Sequence, residues 1–388
     1  MNEAVNGALN QAASGAAGPT RLLMMVEQLR RTASGGIGTY IGVLLQGLDA
    51  LESDERPELE LLASRPPAGR HGLDPLSVLG YPVRRSVLPG PVLTRAWDTG
   101  ILRAPGHFDV VHATSLSTIE PGQAALVATV HDLLWRRVPD AYPARGRSWH
   151  EAALRRALRR ADRFVVPASV VADDLCGAGA PAEAITVIPM GSDHLPPPDF
   201  GLAQAHLSRL GITGPFLLSV GTLEPRKNQA RLIEAYDRIR GSLPEPWPLV
   251  LVGPSGWGQQ VTPRPGVSLV GVVSPPELSG LYALSRLLAY VPLIEGFGLP
   301  PVEAMTLGTP VVASPLPSTA GAAHEVDPHD TDSIAEGLLR VATDDDERAR
   351  LTALGFTRSA DLSWKVIARR HLAVWDEARR SPARWRRG

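Results

Sequence analysis

The densest chemistry in the chain runs from Glu295 to Pro310, as Glu-Gly-Phe-Gly-Leu-Pro-Pro-Val-Glu-Ala-Met-Thr-Leu-Gly-Thr-Pro. Gly296 and Gly298 mark a loop, and Pro300 and Pro301 suit the first turn of a helix. The free N–H groups of such a helix start, with the helix dipole, form an anion site. Glu295 stands before that site and Glu303 one turn inside the helix. Carboxylates repel a phosphate held there, but they accept hydrogen bonds from sugar hydroxyls. A plain strand–loop–helix with an acidic first turn has the same outline. The glycines and prolines packed between the two glutamates argue against it.

A second cluster, Gly-Thr-Leu-Glu-Pro-Arg-Lys-Asn over residues 221–228, lies between an apolar run and a helical pattern. Cations are the wrong sign for a helix N-terminus, so Arg226 and Lys227 call for an anionic ligand. Arginine offers a fork and lysine a point charge, a combination that neutralises a diphosphate. Lysine is scarce here: of 39 basic residues only Lys227 and Lys365 are lysine. Other candidates are weaker. His131 ends an apolar run, where a satisfied core histidine is as common as a functional one. His112 ends another and reads as structural. Gly36 and Gly38 would also fit a variant dinucleotide fingerprint, but the following strand ends in Ala63-Ser64-Arg65, with no acidic residue for a ribose.

The elements that must position these residues are short apolar runs alternating with helix-length segments. Strands are expected over 21–28, 59–64, 109–113, 125–131, 163–169 and 185–189. After the proline run at 195–200 the alternation restarts, with strands over 215–221, 248–253, 267–271, 287–291 and 310–314. Helices are expected over 39–51, 148–163, 229–240, 277–283 and 301–307. Such runs predict parallel strands covered on both faces, in two doubly wound α/β units whose ligands sit beyond the carboxyl ends of the strands. The domain reading is a disordered tail over 1–20, a first domain over 21–196, a second over 197–362, and a closing helix with a basic tail over 363–388.

Composition narrows the class. A chain of 388 residues accommodates two domains at roughly 100–200 residues each. Hydrophobic residues at 44% exclude global disorder, and a net charge of −1 gives no whole-chain field for nucleic acid. One cysteine, Cys176, rules out a disulfide framework and a cysteine zinc site. No apolar run is long enough for a membrane span, and the start of the chain lacks the marks of a secretion signal. The expectation is a cytoplasmic protein.

The two motifs, in this order, resemble the family 4 glycosyltransferases, retaining enzymes of the GT-B fold with two Rossmann-like doubly wound domains facing a central cleft. Residues 35–40 (Gly-Gly-Ile-Gly-Thr-Tyr), 129–133 (Thr-Val-His-Asp-Leu), the Val252-Gly253-Pro254 turn and residues 278–282 agree with it. The resemblance implies that the second domain binds the nucleotide sugar. By it, Glu303 holds the ribose hydroxyls, Glu295 contacts the transferred sugar, and Arg226 and Lys227 bind the diphosphate. The backbone of Phe297, Gly298 and Leu299 lies by the phosphates. Gly36 and Gly38 form the first domain's loop facing the donor phosphates, and His131 stands near the reacting centre. The chain departs from the pattern at Thr222, at Met190 before Gly191, at Pro292-Leu293-Ile294 and in the short stretch 318–323. These departures bear on sugar specificity and loop contacts.

No Asp-x-Asp motif stands at a strand end, and residues 344–346, three aspartates, read as a helix cap. No metal or other cofactor is therefore expected. The resemblance implies front-face attack, with the leaving phosphate accepting the acceptor's proton. The substrates expected are a GDP- or UDP-hexose, with mannose indicated by the likeness of residues 129–143 to mannosyltransferases, and a glycan or lipid-linked acceptor. Arg136, Arg137, Arg145, Arg147, Arg155, Arg156, Arg159, Arg160 and Arg163, with Arg379, Arg380, Arg384, Trp385, Arg386 and Arg387, suggest a basic surface for anionic lipid. A solvated arginine-rich helix explains them equally well. The competing functions are a GT-B epimerase or hydrolase acting on the donor alone, a nicotinamide-dependent reductase, and a non-catalytic sugar-nucleotide binding protein.

Overall fold

The computed structural model describes residues 18–31, 35–66, 74, 76–244, 247–256 and 264–380. The chain forms two compact units. One comprises Met1–Leu133, Pro143–Ile188 and Lys365–Gly388; the other comprises Leu134–Tyr142 and Pro189–Trp364. The proline run after Leu195 thus falls inside the second unit. Arg384, Trp385, Arg386 and Arg387, and residues 1–17 of the tail, lie outside the described residues.

The first unit holds a seven-stranded sheet: β1 (Arg21–Met25), β2 (Glu58–Ser64), β3 (Val83–Ser86), β4 (Val110–Ala113), β5 (Ala125–Thr129), β6 (Arg163–Val166) and β7 (Ile185–Val187). Its order is 3-2-1-4-5-6-7 and every pairing is parallel. β3 escapes a reading based on apolar runs because its sequence is Val-Arg-Arg-Ser. It is an edge strand with both arginines exposed, a charge pattern that blunts an open edge. Three helices matter here: α1 (Gly35–Asp49), α2 (Gly90–Thr99) and α3 (Ala144–Arg160). α2 was not anticipated by the sequence pattern.

The second unit holds β8 (Leu217–Val220), β9 (Leu249–Val252), β10 (Val267–Gly271), β11 (Leu287–Tyr290), β12 (Val311–Ala313) and β13 (His324–Glu325), in the order 10-9-8-11-12-13, again all parallel. β13 is only two residues long and carries no apolar run. Successive side chains enter opposite faces. Leu287 and Ala289 join one core cluster, while Leu288 and Tyr290 join the other. The second face is shared with Phe297, Val302 and Met305. α4 (Gln229–Ile239) follows β8 and α5 (Leu299–Thr306) follows β11. The chain closes with α6 (Trp364–Arg380).

α6 is fastened to the first unit through a buried polar chain. His371 Nδ1 donates to the Ile367 carbonyl at 2.8 Å, so its Nε2 is an acceptor for Tyr40 O–H at 2.9 Å. The Tyr40 oxygen then takes the Thr129 hydroxyl at 3.0 Å, and Thr129 Oγ1 accepts from His112 Nε2 at 2.8 Å. One set of proton positions therefore links β4, β5, α1 and α6. Burial holds both histidines neutral: His112 is well below its ordinary value and His371 is lowered to about 4.

Several arginines expected to form a basic face are instead anchors. Arg156 pairs with Asp98 at 2.7 Å. Arg160 donates to the carbonyls of Trp97 and Thr118, and Arg163 donates to Glu377. Arg379 and Arg380 both hydrogen-bond within α6, to Asp376. Arg145, Arg155 and Arg159 remain exposed.

The His371 environment fixes a pH dependence. The side chain is neutral when folded and, once exposed by unfolding, takes up a proton below about 6.5. Stability should therefore fall as pH drops from about 6.5 toward 4, by on the order of 3 kcal/mol for this group. Urea unfolding of the wild type and of His371→Gln across that range checks it: the slope should be shallower in the variant, and equal slopes would contradict the assignment.

Candidate active site in the second unit

The order in which strands are added to the second sheet reverses between β8 and β11, which are neighbours although β9 and β10 lie between them in sequence. The loops leaving their carboxyl ends must therefore run side by side, where open α/β sheets hold ligands. The backbone locks them together: Leu293 N–H donates to the Arg226 carbonyl at 2.9 Å. Asn228 adds two bonds from Nδ2, to the carbonyls of Val291 (3.0 Å) and Pro328 (2.8 Å). Its φ of 62° is a left-handed conformation that asparagine tolerates better than most residues. Below it, Gly221 and Gly253 pass so closely that a Cβ on Gly253 would lie 2.1 Å from the Gly221 carbonyl oxygen.

This arrangement brings the two sequence clusters into direct contact. Glu295 Oε1 accepts from Arg226 Nη1 at 2.7 Å, Lys227 Nζ at 2.5 Å and the Tyr290 hydroxyl at 3.1 Å. Lys227 also donates to the Tyr290 oxygen at 2.6 Å and lies over that ring, 5.0 Å from its centre. Arg226 Nη2 reaches Glu224 at 2.6 Å. Burial opposes the charge of Glu295, but Lys227 and Arg226 outweigh it and hold the carboxyl below its ordinary range. Burial, then Glu295, push the Tyr290 hydroxyl up, so it stays a donor. All three bonds fall on Oε1, and no hydrogen bond from a described residue reaches Oε2.

The start of α5 lies beyond Glu295. Its N-cap, Gly298, has φ 92° and supplies no side-chain cap. Among the described residues none accepts from the N–H groups of Phe297, Gly298 or Leu299, and Pro300 and Pro301 have none to offer. A Cβ on Gly298 would sit 3.1 Å from Ser318 Oγ, a buried hydroxyl without a hydrogen-bond partner. One turn on, Glu303 is buried; its Oε2 accepts from Tyr282 O–H at 2.8 Å and its Oε1 lies 3.1 Å from His194 Nε2. Together these groups form an anion cradle bounded by carboxylates.

The family models agree with this architecture. The model described as Glycosyl transferases group 1 matches residues 208–356, and that described as Glycosyltransferase Family 4 matches residues 34–194. The O-antigen chain mannosyltransferase B of Escherichia coli is 32% identical over 255 residues, covering 62% of this chain and 67% of that protein. The chain belongs to glycosyltransferase family 4. The D-inositol 3-phosphate glycosyltransferase of Actinosynnema mirum is 29% identical, over 91% of this chain and 95% of that one. The Anabaena protein HepE, solved with UDP and glucose, superposes with a TM-score of 0.67 at 18% identity, covering 92% of this chain and all of that one. That likeness shows the GT-B fold.

The remaining expected residues of this family 4 glycosyltransferase lie in the first unit. Gly36 and Gly38 are not in a loop: they belong to the first turn of α1, with Gly36 exposed and Gly38 buried. His131 lies two residues past β5. Its Nε2 donates to the Thr114 carbonyl at 2.9 Å and its ring meets Tyr40 edge-on, at 4.9 Å between centres. Burial lowers its pKa, so it is neutral with Nδ1 as an acceptor. Asp344 caps the helix Asp345–Ala360 by accepting from Glu347 N–H. Sequence reasoning assigned no role to Tyr290, Tyr282, Glu224, Ser318 or His194. Glu224 stood inside the 221–228 cluster, Tyr282 inside residues 278–282 and Tyr290 in the apolar run 287–291, whereas Ser318 and His194 gave no chemical signal.

Neutralising Glu295 alone should leave two largely but not fully buried cations short of a counter-charge. Glu295→Gln should lower the stability of the ligand-free protein by about 3–5 kcal/mol. Urea unfolding measures this, and an unchanged midpoint would contradict the pairing.

Proposed function

We propose that this glycosyltransferase moves a hexose, with mannose favoured, from a nucleoside-diphosphate sugar to a glycan or lipid-linked acceptor with retention at the anomeric carbon. One observation carries the proposal: Arg226 and Lys227 meet at Glu295, beside the unsatisfied amides of residues 297–299. A diphosphate fits this chemistry. The arginine fork and the lysine replace bonds to Glu295 with bonds to phosphate oxygens, and the amides and Ser318 add neutral donors. Glu295 Oε2 takes a hydroxyl of the sugar, and Glu303, held by Tyr282 and His194, takes the ribose.

Chemistry follows from charge. As the glycosidic C–O bond breaks, negative charge builds on the diphosphate, and two cations with preorganised amides stabilise it. These groups supply the electrostatic work that a metal supplies in other enzymes, so no metal is required in this reading. Glu295 is a poor nucleophile, since one oxygen already serves three donors. Attack by the acceptor hydroxyl on the same face, with its proton passing to the leaving phosphate, needs no covalent intermediate. Mannose is supported by the relative from Escherichia coli, whose name specifies a mannosyltransferase. His131 offers a neutral acceptor for a sugar hydroxyl.

Localisation at the inner face of a membrane rests on Arg145, Arg155 and Arg159; no described helix is long and apolar enough to cross a bilayer.

Lys227→Ala should lower turnover on the order of a hundredfold or more, the usual effect of removing one transition-state donor. Steady-state assay with the preferred nucleotide sugar checks it, and near-normal turnover would contradict the role. His194→Ala should instead raise the donor KM about tenfold, as for loss of roughly one hydrogen bond to a charged group, with kcat nearly unchanged. A fall in kcat alone would place His194 elsewhere.

A further inference from the structure

The polar chain that fastens α6 ends against a residue of the proposed chemistry. Thr129 is the last residue of β5, and His131 follows two residues later. Tyr40 of α1 touches both. Its oxygen lies 3.0 Å from Thr129 Oγ1, and its ring meets the His131 ring at 79°, 4.9 Å between centres. Tyr40 thus brackets the end of β5, with its hydroxyl on one side chain and its ring against the other.

Two restraints act on His131, which is only partly buried. Its Nε2 donates to the Thr114 carbonyl at 2.9 Å, which fixes the tautomer and leaves Nδ1 as the acceptor. One hydrogen bond fixes a point and leaves the ring free to turn about it. The nearly perpendicular contact with Tyr40, a geometry that aromatic rings prefer, sets the plane.

Tyr40 is itself held from α6. It is buried, and its hydroxyl is engaged on both sides, donating to His371 Nε2 at 2.9 Å and accepting from Thr129. The direction is dictated by the helix. His371 Nδ1 is committed to the Ile367 carbonyl at 2.8 Å, so Nε2 can only accept. Burial pushes the Tyr40 hydroxyl up, so it stays protonated and keeps donating. Trp375, on the same helix, packs against His371 and His112 at 5.8 and 5.5 Å between ring centres. A continuous path therefore runs from the Ile367 carbonyl through His371 and Tyr40 to His131.

Packing alone favours aliphatic side chains here. Two buried imidazoles and a buried phenol are harder to desolvate, and His112 Nδ1 has no hydrogen-bond partner among the described residues. What a polar network offers instead is a unique arrangement of its members. The member with a nitrogen left over, on a partly exposed ring, is His131.

We propose that Tyr40, locked by His371 of the closing helix, is a positioning residue for glycosyl transfer: it holds the His131 ring in the plane from which Nδ1 accepts a hydroxyl of the donor's sugar. The inference rests on the reading of His131 as that acceptor and adds the residues that aim it. Tyr40 and His371 are both buried and act through His131.

The test measures, for the full chain, calorimetric affinities for a nucleotide sugar and for its nucleoside diphosphate. GDP-mannose is set against GDP and UDP-glucose against UDP, and the tighter-binding pair is used. The ratio within a pair isolates the sugar. His131→Ala should weaken the nucleotide sugar about fivefold relative to the diphosphate, the effect of one hydrogen bond. Tyr40→Phe keeps the ring but frees it from His371 and Thr129, and it should shift the ratio the same way, by about threefold. A merely structural defect would leave the ratio alone. Adding Tyr40→Phe to His131→Ala should bring no further loss, because both act through one contact. His371→Gln keeps an acceptor for the Tyr40 hydroxyl and should retain the wild-type ratio, whereas His371→Leu should reproduce Tyr40→Phe. These two variants carry the comparison if Tyr40→Phe does not fold. A ratio shifted in His131→Ala but unchanged in Tyr40→Phe and His371→Leu overturns the positioning role alone, as do losses that add in the double variant. A ratio unchanged in His131→Ala overturns the sugar-contact reading and this inference with it.

Discussion

One carboxylate oxygen organises the second unit. Glu295 Oε1 is the common acceptor for Arg226, Lys227 and Tyr290, which come from two different stretches of chain. They meet because β8 and β11 are adjacent although two other strands lie between them in sequence. Removing that adjacency would leave each group as an isolated buried charge or hydroxyl, which is unfavourable. The glycine contact between residues 221 and 253 and the two bonds from Asn228 hold the loops at the required separation.

In the proposed function, ligand binding is an exchange of partners. Without ligand, Glu295 and Glu224 balance Arg226 and Lys227, so the site carries little net charge. A diphosphate brings its own negative charge and competes with Glu295 for the same cations. The carboxylate is then freed in part to accept hydroxyls from a sugar attached to that diphosphate. A site of this kind favours a ligand that supplies both a diphosphate and adjacent hydroxyl groups over one that supplies either alone.

Much of this was legible in the sequence. Burial on both faces makes parallel strands nearly continuous apolar runs, so β1, β2, β8, β9 and β11 stand out. The exceptions have physical causes: β3 is a charged edge strand, and β13 is too short to show a pattern. Charged residues at a strand's end signalled Arg226, Lys227 and Glu295, because their sign and neighbours have no structural explanation. The residues that position them were hidden. His194 reaches Glu303 across more than a hundred residues of chain, and Ser318 lies in a segment with no motif. Nor does sequence separate arginines that anchor a fold, such as Arg156 and Arg160, from exposed ones such as Arg155, since that depends on which carbonyls and carboxylates surround them.

The central claim is that a diphosphate is gripped between the Arg226–Lys227 corner and the turn after Glu295. The most direct measurement compares the affinity of the protein for a nucleoside diphosphate with that for the parent nucleoside, in the wild type and in the Arg226→Ala, Lys227→Ala double variant. The account predicts a large preference for the diphosphate that nearly vanishes in the variant while nucleoside affinity holds. A preference of the same size in both proteins would contradict it.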